Sequence, residues 1–372
     1  MAKNQTKRQK KVSASLDLIN FDENIFYNIF KKLEADTLYN LRVFCKQWYN
    51  LILDPHFANS NLPYAEPGIL TQTHAHKGYS LRLIKMKEGK VKVEKLNLYF
   101  EEPIRASCNG LVLMKDLPEP GDLSVGNLLT RKGTKLPLET CNLPLHNVFG
   151  FTHIKETGEY KIVCQMFDDN IGSIVYKILT LGSNEWRQVK GPQLASNKHE
   201  PLSINSCVYS LIIDDEIEEE FLFSIDTADE TSHKMALPLF RRPTFICPVD
   251  CNLMDLGGEI SLVAGFVYNG YAEVWVLYND QEFFIEKEWT MLHRIYFRVE
   301  RFGRQDVLQF VVPIGSLCNG KLILFVHADN PFGSCYVADM EMKHVVKMLP
   351  NVKANRYHCI SHLNSLISCQ SL

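Results

Sequence analysis

The chain has 372 residues, 46% of them hydrophobic and 11% aromatic, enough apolar surface for a sizeable core and too much length for one minimal domain. Forty Lys and Arg against 43 Asp and Glu leave a net charge of −3, which excludes the footprint of a general nucleic-acid binder. Eleven cysteines without a C-x-x-C pair signal neither a disulfide framework nor a zinc knuckle, and no run of about 18 apolar residues signals a membrane span.

Residues 1–15 read as a disordered, basic tail without a signal peptide. Lys7-Arg8-Gln9-Lys10-Lys11 within it reads as solvated charge rather than a nuclear import patch, and a reducing compartment, cytoplasm or nucleus, is expected. Helical spacing begins at Asp22, a candidate N-cap: Ile25, Ile29 and Leu33 form one stripe that Phe26 and Phe30 widen. Asp36 or Thr37 can cap a second run through Leu38 and Leu41, which continues or kinks into Phe44, Trp48, Leu51 and Ile52. Asp54-Pro55 then stops it, because the residue before proline avoids the α region. Residues 16–58 thus form a compact helical unit near the lower size limit for folding alone, and a partner is expected to complete its core. Residues 59–67 read as a linker across which no core is shared.

From 68 to 372 the texture changes to short strands punctuated by Gly, Asn, Asp and Pro. Strands are predicted at Leu111 to Met114, Tyr160 to Met166, Ile174 to Leu179, Phe221 to Ile225, Ile260 to Val267, Glu273 to Tyr278 and Leu322 to Val326. Around 25 such strands, grouped in fours, match a closed propeller of about six blades. An internal echo supports repetition. Cys108-Asn109-Gly110-Leu111 is answered by Cys318-Asn319-Gly320-Lys321, with a related outline at Gly257-Gly258-Glu259-Ile260, and each reads as a tight turn feeding a buried strand. Trp186, Trp275 and Trp289 recur in similar settings. The predicted fold class is mixed: a small all-α unit followed by an all-β propeller.

Segment 21–57, ending in Arg42-Val43-Phe44-Cys45-Lys46-Gln47-Trp48, Leu51-Ile52 and Asp54-Pro55-His56-Phe57, resembles the F-box. Ser107-Cys108-Asn109-Gly110-Leu111, Gly150-Phe151, Glu159-Tyr160-Lys161-Ile162-Val163, Val175-Tyr176 with Trp186-Arg187, and Trp275 with Trp289-Thr290 make the remainder similar to the kelch-like F-box-associated domain of plant F-box proteins. Phe21 and Asp22 stand where many F-boxes open with Leu-Pro, and Glu34 replaces a second frequent proline. The resemblance implies a non-catalytic substrate receptor of a Skp-cullin-F-box ubiquitin ligase. The helical unit would bind a Skp-type adaptor, and through it cullin and RING subunits, while the propeller would hold an unidentified protein target. The adaptor-binding residues it implies are Phe21, Asp22, Ile25, Ile29, Leu33, Leu41, Val43, Phe44, Trp48, Leu51 and Ile52.

The rival classes are an enzyme and a propeller that binds partners or a small ligand without any ubiquitin role. The sequence has no G-x-S-x-G elbow and no H-E-x-x-H pair. Gly315-Ser316-Leu317-Cys318-Asn319-Gly320-Lys321 imitates a phosphate loop, but Leu322 follows where a hydroxyl should hold magnesium, and a strand follows where a helix should. Cys247 with Cys251, His74 with His76, and His358 with His362 read as core or surface residues, and the acidic run Asp214 to Glu220 reads as a solvated hairpin. No cofactor, metal, nucleic acid or membrane is expected.

Overall fold

In the computed structural model the chain is described for residues 23–76, 78–115, 123–137, 147–168, 172–192, 195–197, 200–214, 219–238, 249–266, 270–278, 288–301, 304–307, 311–327, 333–341, 344–354 and 359–369. Four short helices come first: α1 (Glu23–Phe30), α2 (Ala35–Leu41), α3 (Lys46–Ile52) and α4 (Pro55–Asn61), followed by a 3-10 turn over Leu62–Tyr64. The helix α2 begins at Ala35, so Asp36 lies in its first turn instead of capping it. Cys45 caps α3, its Sγ accepting from the Trp48 amide at 3.5 Å. Asp54-Pro55 ends α3 as expected, yet it also starts α4: the Asp54 carboxylate accepts from Phe57 N at 2.9 Å, and Pro55 sits where no amide proton is needed. The expected linker 59–67 therefore holds the end of a helix. Within it Asn61 is buried and donates to the carbonyls of Lys31 and Leu33, both at 2.9 Å.

The β region is a six-bladed propeller of antiparallel four-stranded sheets. Strands β1 (Gly68–Ala75), β2 (Gly78–Lys87) and β3 (Lys90–Phe100) belong to the first blade, and β4 (Ala106–Cys108), β5 (Leu111–Lys115), β6 (Leu123–Asn127) and β7 (Lys132–Lys135) make the second. Strands β8 (Val148–His153), β9 (Tyr160–Asp168), β10 (Ser173–Thr180) and β11 (Trp186–Val189) form the third. In the fourth, β12 (Ala195–Asn197) and β13 (Leu202–Ile204) share the inner edge of β14 (Cys207–Asp214), followed by β15 (Glu219–Asp226) and β16 (Thr231–Ala236). The fifth runs β17 (Val249–Asp255), β18 (Ile260–Phe266), β19 (Tyr271–Tyr278) and β20 (Glu288–Tyr296), with a separate hairpin β21 (Arg298–Arg301) and β22 (Arg304–Val307) after it. The sixth runs β23 (Val311–Leu317), β24 (Leu322–His327), β25 (Gly333–Asp339) and β26 (His344–Ala354). Strand β27 (Cys359–His362) then pairs with β1, from Gly68↔His362 to Thr71↔Cys359, so the last strand completes the first blade and closes the ring.

All seven predicted strands form, that of Ile260 to Val267 as far as Phe266 with Val267 outside the described residues, and the repeated turns do what their residues require. Asn109 and Gly110 (φ 48° and 82°) join β4 to β5, and Cys318, Asn319 and Gly320 (φ 54°, 52° and 84°) join β23 to β24, which makes the phosphate-loop look-alike a hairpin. These turns, with those at Asn205 and Gly258, lie on one side of the ring and touch their neighbours: Asn205 Nδ2 donates to Gly258 O at 3.0 Å. The acidic run does join two strands, since Asp214 pairs with Glu219, and its residues 215–218 lie outside the described set.

One expectation fails outright: helices and propeller share a core. Phe30, Ala35, Leu38, Ile52, Phe57 and Ala58 pack in one buried cluster with Leu111, Leu113, Phe149 and Phe151 of the second and third blades and with Leu366, Ile367 and Cys369 of the segment after β27. The reason is the size limit that called for a partner. Four helices this short cannot enclose their own apolar side chains, and the first cover they find is the chain's own propeller.

Candidate functional site

The segment after β27 is wedged between helices and blades and fixes how the helical unit sits. Asn127, at the end of β6, donates through Nδ2 to the carbonyls of Ser365 (3.0 Å) and Ile367 (2.9 Å), while its Oδ1 accepts from the amides of Leu129 and Thr130. Ser365 Oγ donates to Asn109 O at 2.6 Å. On the helical side Asn364 Nδ2 donates to both carboxylate oxygens of Asp36, and Tyr39 donates to Thr130 O at 3.3 Å. Lys85, its side chain only 10% exposed, lies 3.8 Å from both Glu34 and Asp36 and 3.3 Å from Glu94. Glu34 replaces a family proline, and here its carboxylate ties α2 to β2.

Docking leaves the opposite side of the helical unit open. Ile25, Ile29, Val43, Phe44, Tyr49 and Leu53 are all exposed, Val43 and Phe44 by 77% and 72%. Helix α1 thus has two apolar faces. Phe26, Tyr27 and Phe30 turn toward the shared core, while Ile25 and Ile29, one turn apart, turn away from it. The single stripe expected for α1, with the phenylalanines merely widening it, is in fact two stripes with different destinations. Trp48 joins the elements that carry the open side: its ring lies 5.8 Å from Phe26, 4.9 Å from Phe30 and 6.0 Å from Phe44. At the rim the Arg42 guanidinium covers the Tyr39 ring at 3.2 Å, a cation–π contact that orders the α2–α3 turn.

The predicted site residues therefore separate by depth. Ile25, Ile29, Val43 and Phe44 form the open surface, and Leu33, Leu41, Trp48 and Leu51 are half-buried supports beneath it. Ile52 has 0% exposure and belongs to the core shared with the propeller, so it has no surface to offer a partner. Phe21 and Asp22 lie outside the described residues. Sequence reasoning missed Tyr49 on α3 and Leu53 at its C-cap, although their spacing of four was a usable signal.

The chain is thus a short helical unit with an open apolar surface, packed on a six-bladed propeller. Residues 18–59 match the F-box domain, and residues 70–363 match the F-box associated beta propeller domain. The chain belongs to that family of F-box proteins. Among curated relatives it is 25% identical over 182 residues to F-box protein At3g07870 of Arabidopsis thaliana, covering 44% of this chain and 43% of that one. It is 28% identical over 191 residues to F-box protein CPR1 of the same plant, covering 45% and 44%. The chain thus spans less than half the length of these relatives. Among solved structures, TolB from Acinetobacter baumannii is similar at a TM-score of 0.50 and 10% identity, over 80% of this chain and 67% of that one, a likeness of fold alone.

Proposed function

We propose that this chain is the substrate-recognition subunit of a Skp-cullin-F-box ubiquitin ligase, capturing a Skp-type adaptor with the F-box and a protein target with the propeller. The observation that carries the reading is the open apolar surface of Ile25, Ile29, Val43, Phe44, Tyr49 and Leu53. Large apolar side chains gathered on one unit, beside a core that is otherwise closed, mark a partner site. Chemistry would belong to other subunits of the assembly, with the chain acting by holding adaptor and target at a fixed separation. Among the described residues no helix is long and apolar enough to cross a membrane.

The test is adaptor capture by the full chain, with Ile29→Lys and Phe44→Asp as variants. Both side chains are more than half exposed, so charge there leaves the fold intact, as circular dichroism and melting would verify. Charge in a desolvated contact costs several kcal/mol, so each variant should lose capture by at least a hundredfold. Retained capture by both would refute the assignment of this surface. Deleting the F-box is a poor control, because it would strip the cover from Leu111, Leu113 and Phe151.

A further inference from the structure

Strand β3 is the outermost strand of the first blade, and no described strand pairs with its free edge. Such an edge carries a row of unpaired amides and carbonyls. The hairpin that β3 forms with β2 is also unevenly charged. Residues 78–100 hold six cations, Arg82, Lys85, Lys87, Lys90, Lys92 and Lys95, and two carboxylates, Glu88 and Glu94, in a chain whose net charge is −3. Pairing sets cation opposite cation three times, Arg82↔Lys95, Lys85↔Lys92 and Lys87↔Lys90, an arrangement that costs stability unless anions offset it.

The second and third of these pairs have their anions. Lys85 faces Glu34, Asp36 and Glu94, Lys87 faces Glu34, and Lys92 bonds Glu88 at 3.0 Å. The first pair has none: no ion pair joins Arg82 or Lys95 to a described carboxylate, and Arg82 Nη1 is buried without a hydrogen-bond partner. A buried donor left unmade is costly, and nothing in the fold of the hairpin is returned for it. Arg82 and Lys95 share one face of the sheet, because directly opposite residues do. Along that face of β3 the neighbours are apolar and open. Val93, two residues before Lys95, is 38% exposed, and Tyr99, which lies past a bulge and opposite Ser80, is 56% exposed. Bulges at a sheet edge re-aim side chains in this way.

We propose that the free edge of β3 takes up an extended, acidic segment of a target polypeptide as an added strand, with a carboxylate set opposite Lys95 and against the Arg82 guanidinium. The proposal rests on the reading of the propeller as the target-holding part. Main-chain hydrogen bonds supply a grip indifferent to sequence, and alternate side chains supply the selection. A carboxylate gives the Arg82–Lys95 pair the anion it lacks, through charge-assisted hydrogen bonds. The row Val93, Lys95, Tyr99 fits an acidic residue with an apolar one two positions away on either side. Lysine on an outer edge guards against indiscriminate pairing. Here it turns away basic segments and admits an acidic one.

Fluorescence anisotropy on the full-length chain tests this with a labelled Gly-Thr-Val-Thr-Glu-Thr-Val-Thr-Gly peptide and its counterpart with glutamine in place of glutamate. The glutamate peptide should bind about tenfold more tightly, the contribution of one charge-assisted hydrogen bond, and Lys95→Gln should erase that preference. Arg82→Met keeps the stem and removes the unpartnered charge. It should reduce the preference without lowering the melting temperature, a separation that a purely structural role for Arg82 would not give. Methylating alternate peptide amides should abolish binding in one register and spare it in the other. Equal binding of the two peptides, binding of neither, or a preference that survives Lys95→Gln overturns the proposal. So does a lower melting temperature for Arg82→Met, indifference to amide methylation, or tighter binding of a single-stranded oligonucleotide than of the glutamate peptide. Adaptor capture is measured in parallel. Lys95→Gln should leave it unchanged, and Ile29→Lys should remove it while the glutamate preference persists. A wild-type chain that prefers glutamate but captures no adaptor would sink the ligase reading and leave this edge standing.

Discussion

Asn364 donates to both carboxylate oxygens of Asp36, at 3.1 and 2.9 Å, joining the segment after the last propeller strand to the first turn of α2. Asp36 also faces Lys85, so one F-box carboxylate is held by two propeller elements. The open apolar surface of the helical unit and the propeller are thereby set at one angle.

Trp48→Ala should destabilise the chain by about 3–5 kcal/mol, since it opens a hole among Phe26, Phe30 and Phe44. Because that cluster adjoins the shared core, the loss should appear in the propeller as well as the helices. Thermal unfolding followed at separate helical and strand wavelengths checks it. Two transitions, with only the helical one shifted, would show that the domains unfold independently.

Asn127→Ala removes the donor to Ser365 O and Ile367 O together with the acceptor for Leu129 and Thr130 amides. Buried groups left without partners cost about 1–3 kcal/mol each, so a loss of at least 2 kcal/mol is expected by chemical denaturation. Adaptor capture should weaken with it at temperatures near the transition, although Asn127 is remote from the exposed apolar surface.

Gly110→Ala meets two obstacles. Its φ of +82° strains any side chain, and a Cβ would lie 2.2 Å from Ser365 Oγ and 2.9 Å from Ser365 N. The variant should displace the 363–369 segment, and limited proteolysis should cut that segment faster than in wild type. Unchanged cleavage would show that the wedge is held without this contact.

His362 makes the junction acid-sensitive. It is buried, its Nδ1 lies 2.8 Å from Ser107 Oγ, and burial lowers its pKa to about 4 against the weaker pull of Asn364 and Asp36. The folded state keeps the ring neutral, whereas the unfolded chain protonates it near 6.5. Stability from this group is therefore fully present above about pH 6.5 and is lost as pH falls toward 4. The melting temperature should drop across that window, and His362→Gln should flatten the drop. An equal slope in both proteins would place the acid sensitivity elsewhere.

The strand order and the turns were legible because they are local properties. Asn109-Gly110 and Asn319-Gly320 adopt positive φ wherever the chain runs, and runs such as Leu111 to Lys115 have few alternatives to a strand between such turns. The helices were legible for the same reason, down to the apolar spacing of α1. What hydrophobicity could not show is that Ile25 and Ile29 remain open while Phe26 and Phe30 join the propeller, since both pairs have equal spacing and similar apolarity. Nor could it show that Pro55 begins a helix as well as ending one, or that 59–67 is no free linker. Those outcomes depend on closure of the ring, which brings residues 363–369 under the helices and decides which face of each is covered. Burial is a property of what the whole chain places nearby, and a sequence window contains only the residue's own preference for it.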